Sequence, residues 1–163
     1  MKAQSSVIMI LFVIMIFAGL ALFLLSLART VGQEDYMNMY THNLILSLLR
    51  ADTGEKGECK YVSNTITCAA YGGVCDPPSS FDCDDFANQM VNEYMNIMSE
   101  MKPTYEWYIG VYDDRDFEIM SFGNPTLPNM KTKKWSASEV IYQSTGLSQN
   151  IYTINLILAK KSE

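Results

Sequence analysis

The residues of this chain that could do chemistry are few and scattered. His42 is the only histidine, and no motif places beside it the nucleophile or carboxylate that acid–base or nucleophilic catalysis needs. The sequence also lacks a glycine-rich phosphate loop, a nucleophile elbow and the zinc-protease helix motif. We therefore predict no enzymatic activity, no catalytic residue and no cofactor, and a structural or surface role for His42.

The four cysteines lie close together in the sequence, at Cys59, Cys68, Cys75 and Cys83. An even number of cysteines in a polar stretch is typical of disulfides formed in an oxidising compartment. The spacing contains no C-x2-C pair and no nearby histidine, so a structural zinc site is not expected. Three pairings are possible, and closeness in sequence favours Cys59 with Cys68 and Cys75 with Cys83.

Two acidic clusters carry oxygen ligands of the kind that calcium takes. They are Asp82, Asp84 and Asp85, and Asp113, Asp114 and Asp116. Neither cluster has the spacing of an EF-hand loop. The first is more simply the start of a helix and the second a solvated turn, so no metal site is predicted.

Length and charge narrow the class of protein further. The chain has 163 residues and a formal net charge of -6. Its acidic surface would repel the phosphate backbone of nucleic acids, so no nucleic-acid partner is predicted. Roughly 130 residues follow the N-terminal apolar segment, enough for one domain with a hydrophobic core.

Residues 7–25 are all apolar or glycine. At about 1.5 Å per residue, a helix of this length matches a bilayer core of about 30 Å. The run is longer than the apolar region of a usual secretory signal. We expect the segment to remain on the protein, with the cysteine-bearing part outside the cell.

The helical pattern continues beyond the apolar segment. Residues 33–50 contain no proline or glycine, and their apolar residues recur at helical spacings. The pattern predicts one helix over about residues 6–51, roughly 70 Å long. Its first half is apolar on all sides, and its second half is amphipathic.

The remainder predicts an α+β domain. Residues 53–83 have the composition of a cysteine-rich loop, with a short strand at 61–67. A second helix at 84–101 has an apolar stripe of Phe86, Met90, Tyr94, Ile97 and Met101. Strands are predicted at 105–112 and 117–122, which form a hairpin, and at 135–143 and 151–159. The aromatic residues of the first strand face either a partner or the core.

The N-terminal junction is Met1-Lys2-Ala3 followed by Gln4-Ser5-Ser6. It resembles the class III signal peptide of archaeal type IV pilins, in which a basic and a small residue precede the cleavage point. The resemblance implies cleavage between Ala3 and Gln4. One departure is Ile8, which stands where many pilins carry glutamate at the fifth mature position.

The resemblance implies a pilin-like organisation: a leader at 1–3, a transmembrane or filament-core helix at 4–29, an amphipathic continuation at 30–52, and an extracellular head at 53–163. The polymerisation helix would present Val7, Ile10, Ile14, Phe17, Leu20 and Leu24. Implied partners are the protein itself or other pilins, a prepilin peptidase, an assembly ATPase with its platform, and the membrane.

Two functions follow from this reading. The first is a structural subunit, major or minor, of an archaeal extracellular filament. The alternative is a membrane-anchored ectodomain that does not polymerise and acts in adhesion or as a component of an envelope complex.

Overall fold

The chain folds as an α+β protein with two structural units. The computed structural model describes residues 2–75, 82–145 and 148–161, with side chains for 13–27, 32–57, 59–75, 82–142 and 150–161. The first unit is Met1–Met37, and the second, called here the head unit, is Asn38–Glu163.

Helix α1 runs without interruption over Lys2–Leu49. The sequence prediction of one long helix is confirmed, since α1 contains no proline and continues through Gly32. A helical glycine costs only about 1 kcal/mol relative to alanine. Within the head unit, α1 buries the apolar residues Leu44, Ile45, Leu48 and Leu49, which confirms the amphipathic pattern of its second half.

A second helix, α2 (Val62–Tyr71), lies within the stretch that the sequence predicts to be a loop with a strand at 61–67. That prediction was wrong. Val62 and Ile66 are four residues apart and both are buried, which is the spacing of one helix face. Gly72 ends α2 in the left-handed conformation, with φ 73°, and its N–H donates to the carbonyls of the last turn.

Helix α3 (Cys83–Met101) confirms the predicted second helix to within one residue at its start. Asp82 precedes it as the N-cap, and its carboxylate accepts the backbone N–H of Asp84 at 3.1 Å. Asp84 and Asp85 lie in the first turn, where negative charge is favourable near the positive end of the helix dipole.

The apolar stripe predicted for α3 coincides only in part with the face of α3 that is buried. Phe86 is buried, but Ile97 and Met101 are 55% and 69% exposed. The rest of the buried face lies on a neighbouring stripe that consists of Ala87, Val91, Met95 and Met98. Both stripes are apolar at helical spacing, so packing of α3 against α2 and the sheet selects between them.

The strands form one antiparallel sheet with the order β2-β1-β4-β3. They are β1 (Tyr105–Tyr112), β2 (Glu118–Gly123), β3 (Lys134–Thr145) and β4 (Ser148–Lys160). The predicted hairpin and both later strands are confirmed, and β3 and β4 are each longer than predicted.

The sheet has cores on both faces. Tyr152, Ile154, Leu156 and Leu158 alternate along β4 and are buried on one face, as the sequence predicts. On the other face, a 3-10 turn at Leu127–Asn129 packs Leu127 into a small cluster with Tyr108 and Ala159.

The face assignment of α3 can be tested with a pair of methionine substitutions. We expect Met95→Ala to lower the free energy of unfolding by about 2–5 kcal/mol, because it leaves a cavity in the core. Exposed Met101→Ala should change it by less than about 0.5 kcal/mol. Denaturant titration of the detergent-solubilised chain, followed by circular dichroism, measures both. A larger loss for Met101→Ala would contradict the assignment.

Candidate functional site

The described side chains of α1 at residues 13–27 expose apolar surface on every side of the helix. The large exposed residues are Val13, Ile14, Met15, Ile16, Phe17, Leu20, Leu22, Phe23, Leu24, Leu25 and Leu27, with exposed fractions between 44% and 72%. A helix that is apolar all round is typical of one that is surrounded by lipid or by other helices. We call residues 13–27 the apolar segment.

Four of the residues predicted for polymerisation lie in this segment. Ile14, Phe17, Leu20 and Leu24 are each more than half exposed. Val7 and Ile10 belong to the same helix, but their side chains lie outside the described residues. The same holds for Ala3 and Gln4, and the bond between them falls within α1.

The apolar segment has the properties of a membrane-spanning helix. Among the described residues, α1 is the one helix long and apolar enough to cross a membrane. Removing the exposed large side chains of this segment from water would gain on the order of 10 kcal/mol or more. The structure is therefore consistent with a protein anchored in a membrane through its N-terminal helix.

All four cysteines form disulfides, but not in the pairing that closeness in sequence favours. The bonds are Cys59–Cys75 and Cys68–Cys83, with Cα–Cα distances of 5.6 and 5.7 Å. The expected pairs, Cys59 with Cys68 and Cys75 with Cys83, were wrong. Helix α2 explains the difference, because it directs Cys68 towards the first residue of α3 and leaves Cys59 and Cys75 to join the segments on either side of α2.

The two disulfides touch each other in a buried cluster with Phe86. The Cys83 sulfur lies 3.4 Å from that of Cys75 and 3.7 Å from that of Cys59. These three sulfurs are close enough together to hold a metal ion. In the disulfide form, however, these cysteines offer no thiolate ligand. Their role in the fold is to cross-link the chain, and the Cys68–Cys83 bond joins α2 to α3.

Two polar contacts involve groups that often take part in catalysis. His42 Nδ1 lies 3.4 Å from the Glu139 carboxylate, with more than half of the imidazole exposed. The hydroxyl of Tyr108 donates to Glu118 at 2.6 Å. Burial, together with this hydrogen bond, raises the pKa of Tyr108 well above its ordinary value, so the phenol remains protonated. Both contacts tie structural elements to one another.

The acidic turn between β1 and β2 is organised by its own backbone. One oxygen of Asp113 accepts the N–H groups of Arg115 and Phe117, each at 2.9 Å. Arg115 also approaches the carboxylates of Asp113 and Asp114, at 3.4 and 3.9 Å. The other acidic cluster begins α3, where Asp82 is the cap. Both arrangements match the simpler reading of each cluster, a turn and a helix start.

Strand pairing gathers a cluster of lysines that was not predicted from the sequence. It consists of Lys102, Lys131, Lys133, Lys134, Lys160 and Lys161, gathered where β1 and β3 begin and β4 ends. We call this region the lysine end of the head unit. The signals in the sequence were the run at 131–134 and the pair at 160–161. Antiparallel pairing of distant strands brings them together.

Comparisons with models of protein families, with curated proteins and with solved structures give no match to this chain.

The disulfide pairing predicts a defined peptide map. Digestion without reduction should give peptides that join Cys59 to Cys75 and Cys68 to Cys83. Replacing Cys68 and Cys83 together by serine should lower the free energy of unfolding by about 3 kcal/mol, the value expected for a loop of this length. A linked peptide that contains Cys59 and Cys68 would contradict the assignment.

The Asp113 turn predicts a dependence of stability on pH. The hydrogen bond from the Phe117 N–H, assisted by Arg115, lowers the pKa of Asp113 below its ordinary value of 3.8. A carboxylate with a lowered folded pKa stabilises the fold at neutral pH, and this contribution is lost as the pH falls through that pKa. We expect Asp113→Ala to be less stable than the native chain at pH 7.

The stability difference between Asp113→Ala and the native chain should shrink as the pH falls below about 4. Denaturant midpoints measured across this range give the result. Asp113→Asn is the matched control, because an amide oxygen still accepts both backbone N–H groups without carrying the charge. A difference that grows in acid would contradict this account.

Proposed function

We propose that this chain is a type IV pilin-like subunit, major or minor, of an archaeal extracellular filament. The observation that carries the proposal is the apolar segment, exposed on all sides in a helix that continues unbroken into the head unit. One helix therefore has two kinds of surface. The buried residues Leu44, Ile45, Leu48 and Leu49 belong to the head unit, and the apolar segment is left for a partner.

A filament implies a particular form of assembly. Each copy would contact its neighbours through two different surfaces, so that identical copies pack head to tail and build a helical polymer. The segment would lie in the bilayer before assembly and among neighbouring helices after it. Either environment removes the same side chains from water.

The N-terminal junction supports this particular class over a simple anchor. Lys2 and Ala3 precede Gln4 as the basic and small residues of a class III leader do. A prepilin peptidase would cut after Ala3 at the membrane surface, and an assembly ATPase with its platform would move the subunit into the filament. Two buried disulfides suit a head unit that works outside the cell.

A second candidate function, that of a membrane-anchored ectodomain, requires fewer features of the chain. The length and hydropathy of α1 suffice for a membrane anchor, and an anchored ectodomain could act in adhesion or within an envelope complex without polymerising. The two functions differ in what happens at Ala3.

The test is the mass of the N-terminal peptide in the native cell, measured separately in sheared extracellular material and in membranes. We expect the chain to begin at Gln4 and to be abundant in the sheared fraction. Ala3→Leu should block cleavage and remove the protein from that fraction, because a bulky residue replaces the small one at the junction. Ala3→Ser keeps a small residue and serves as the matched control.

An intact N-terminus confined to membranes in the native chain would sink the filament proposal and support the anchored ectodomain. Cleaved protein that stays in membranes would show a processed subunit that does not polymerise under those conditions, and would equally count against a filament.

A further inference from the structure

The lysine end concentrates positive charge in a protein that is acidic overall. Lys160 of β4 pairs with Tyr105 of β1. On the other edge of β4, Lys134 of β3 pairs with Ala159, the residue before Lys160. The backbone N–H of Lys161 donates to Thr104 at 2.8 Å. Half of the twelve basic residues of the chain are gathered here, which leaves six basic residues elsewhere.

Aromatic rings lie among these lysines. The Lys102 ammonium lies 4.7 Å from the ring centre of Tyr40 and 5.9 Å from that of Tyr105. Lys133 lies 5.7 Å from the ring of Trp135, and the Tyr105 and Trp135 rings are 5.8 Å apart. Tyrosine, tryptophan and lysine together are the residues that favour the boundary between lipid and water.

The described acidic residues near the lysine end are fewer than its six lysines. Glu106 accepts a hydrogen bond from the side-chain amide of Asn124 at 2.6 Å, and exposed Glu100 comes two residues before Lys102. These are the two acidic residues near this end among those whose side chains the structure describes, and Lys131, Lys160 and Lys161 are exposed. Lys134 donates to the carbonyl of Pro128 at 2.6 Å, and this contact fixes the connection that leads into β3.

We infer that the lysine end docks on a membrane surface that carries anionic phosphate headgroups. The membrane is the partner that the apolar segment of the same chain already implies. Tyr40, the third residue of the head unit, also belongs to this end through its contact with Lys102. Exposed ammonium groups beside amphipathic rings complement such a surface in both charge and polarity.

The opposite end of β1 strengthens the assignment. The acidic turn of Asp113, Asp114 and Asp116 follows the last residue of β1, about 23 Å from the first at 3.3 Å per residue. An anionic surface attracts the lysine end and repels this turn. The two effects together orient the head unit with the acidic turn away from the lipid.

A second copy of the chain is the competing occupant, because its acidic turn also carries negative charge. The geometry of that turn favours lipid. Asp113 already accepts two backbone N–H groups, and Arg115 lies against both Asp113 and Asp114. The guanidinium of Arg115 therefore offsets part of the negative charge that the turn would present to the lysines of a neighbour.

The experiment measures how fast each lysine of the full-length chain is acetylated in lipid nanodiscs. Discs of phosphatidylcholine are compared with discs of an equal mixture of phosphatidylcholine and phosphatidylglycerol, each holding one copy of the protein. We expect acetylation of Lys131, Lys160 and Lys161 to slow about threefold or more in the anionic discs. The protection should disappear at about 0.5 M salt, where screening is strong.

The chain contains its own controls. Lys56 and Lys60 are exposed residues of the head unit outside the lysine end, and their rates should be the same in both discs. Replacing Lys160 and Lys161 by glutamate should abolish the protection of Lys131, whereas the same change at Lys56 and Lys60 should leave it intact.

Equal rates at Lys131, Lys160 and Lys161 in the two kinds of disc would overturn the inference. So would protection that appears only when several copies share a disc and does not depend on the lipid, because that result assigns the lysine end to a contact between copies. The experiment needs only insertion of the apolar segment, so failure of the filament proposal would not affect it.

Discussion

Strand β4 is hydrogen-bonded along both edges, to β1 and to β3, and it carries buried side chains on both faces. Ile154, Leu156 and Leu158 lie in the main core, and Ala159 lies under the turn that contains Leu127. Because side chains alternate along a strand, a shift of β4 by one residue would move the side chains of each face to the opposite face of the sheet. The position of the lysine end depends on the same register, since Lys160 and Lys134 meet only when β1 and β3 are aligned on β4.

Local pattern was enough to predict the elements whose own residues determine their structure. The unbroken run through α1 and the alternation along β4 each carry a periodic signal over many residues. The hairpin at Asp113 has turn residues between two apolar strands, and its capping contacts are local. The length and apolar character that would let α1 cross a membrane also follow from composition alone.

The failures share one physical cause, which is that distant contacts decide between local alternatives. Residues 61–67 fit a short strand, but packing of this segment against α3 favours a helix instead. In α3 two adjacent stripes are apolar, and only packing selects Val91 and Met95 over Ile97 and Met101. The lysine end is a product of strand pairing, so no window of sequence contains it.

The disulfides overlap along the chain, because Cys68 lies inside the loop closed by Cys59 and Cys75 and is bonded to Cys83 outside it. Every peptide bond between Cys59 and Cys83 is therefore spanned by at least one of the two links. A single proteolytic cut anywhere in this stretch leaves both fragments covalently joined. Consecutive pairing would have left the bonds between Cys68 and Cys75 unspanned, and one cut there would have severed α1 from the sheet.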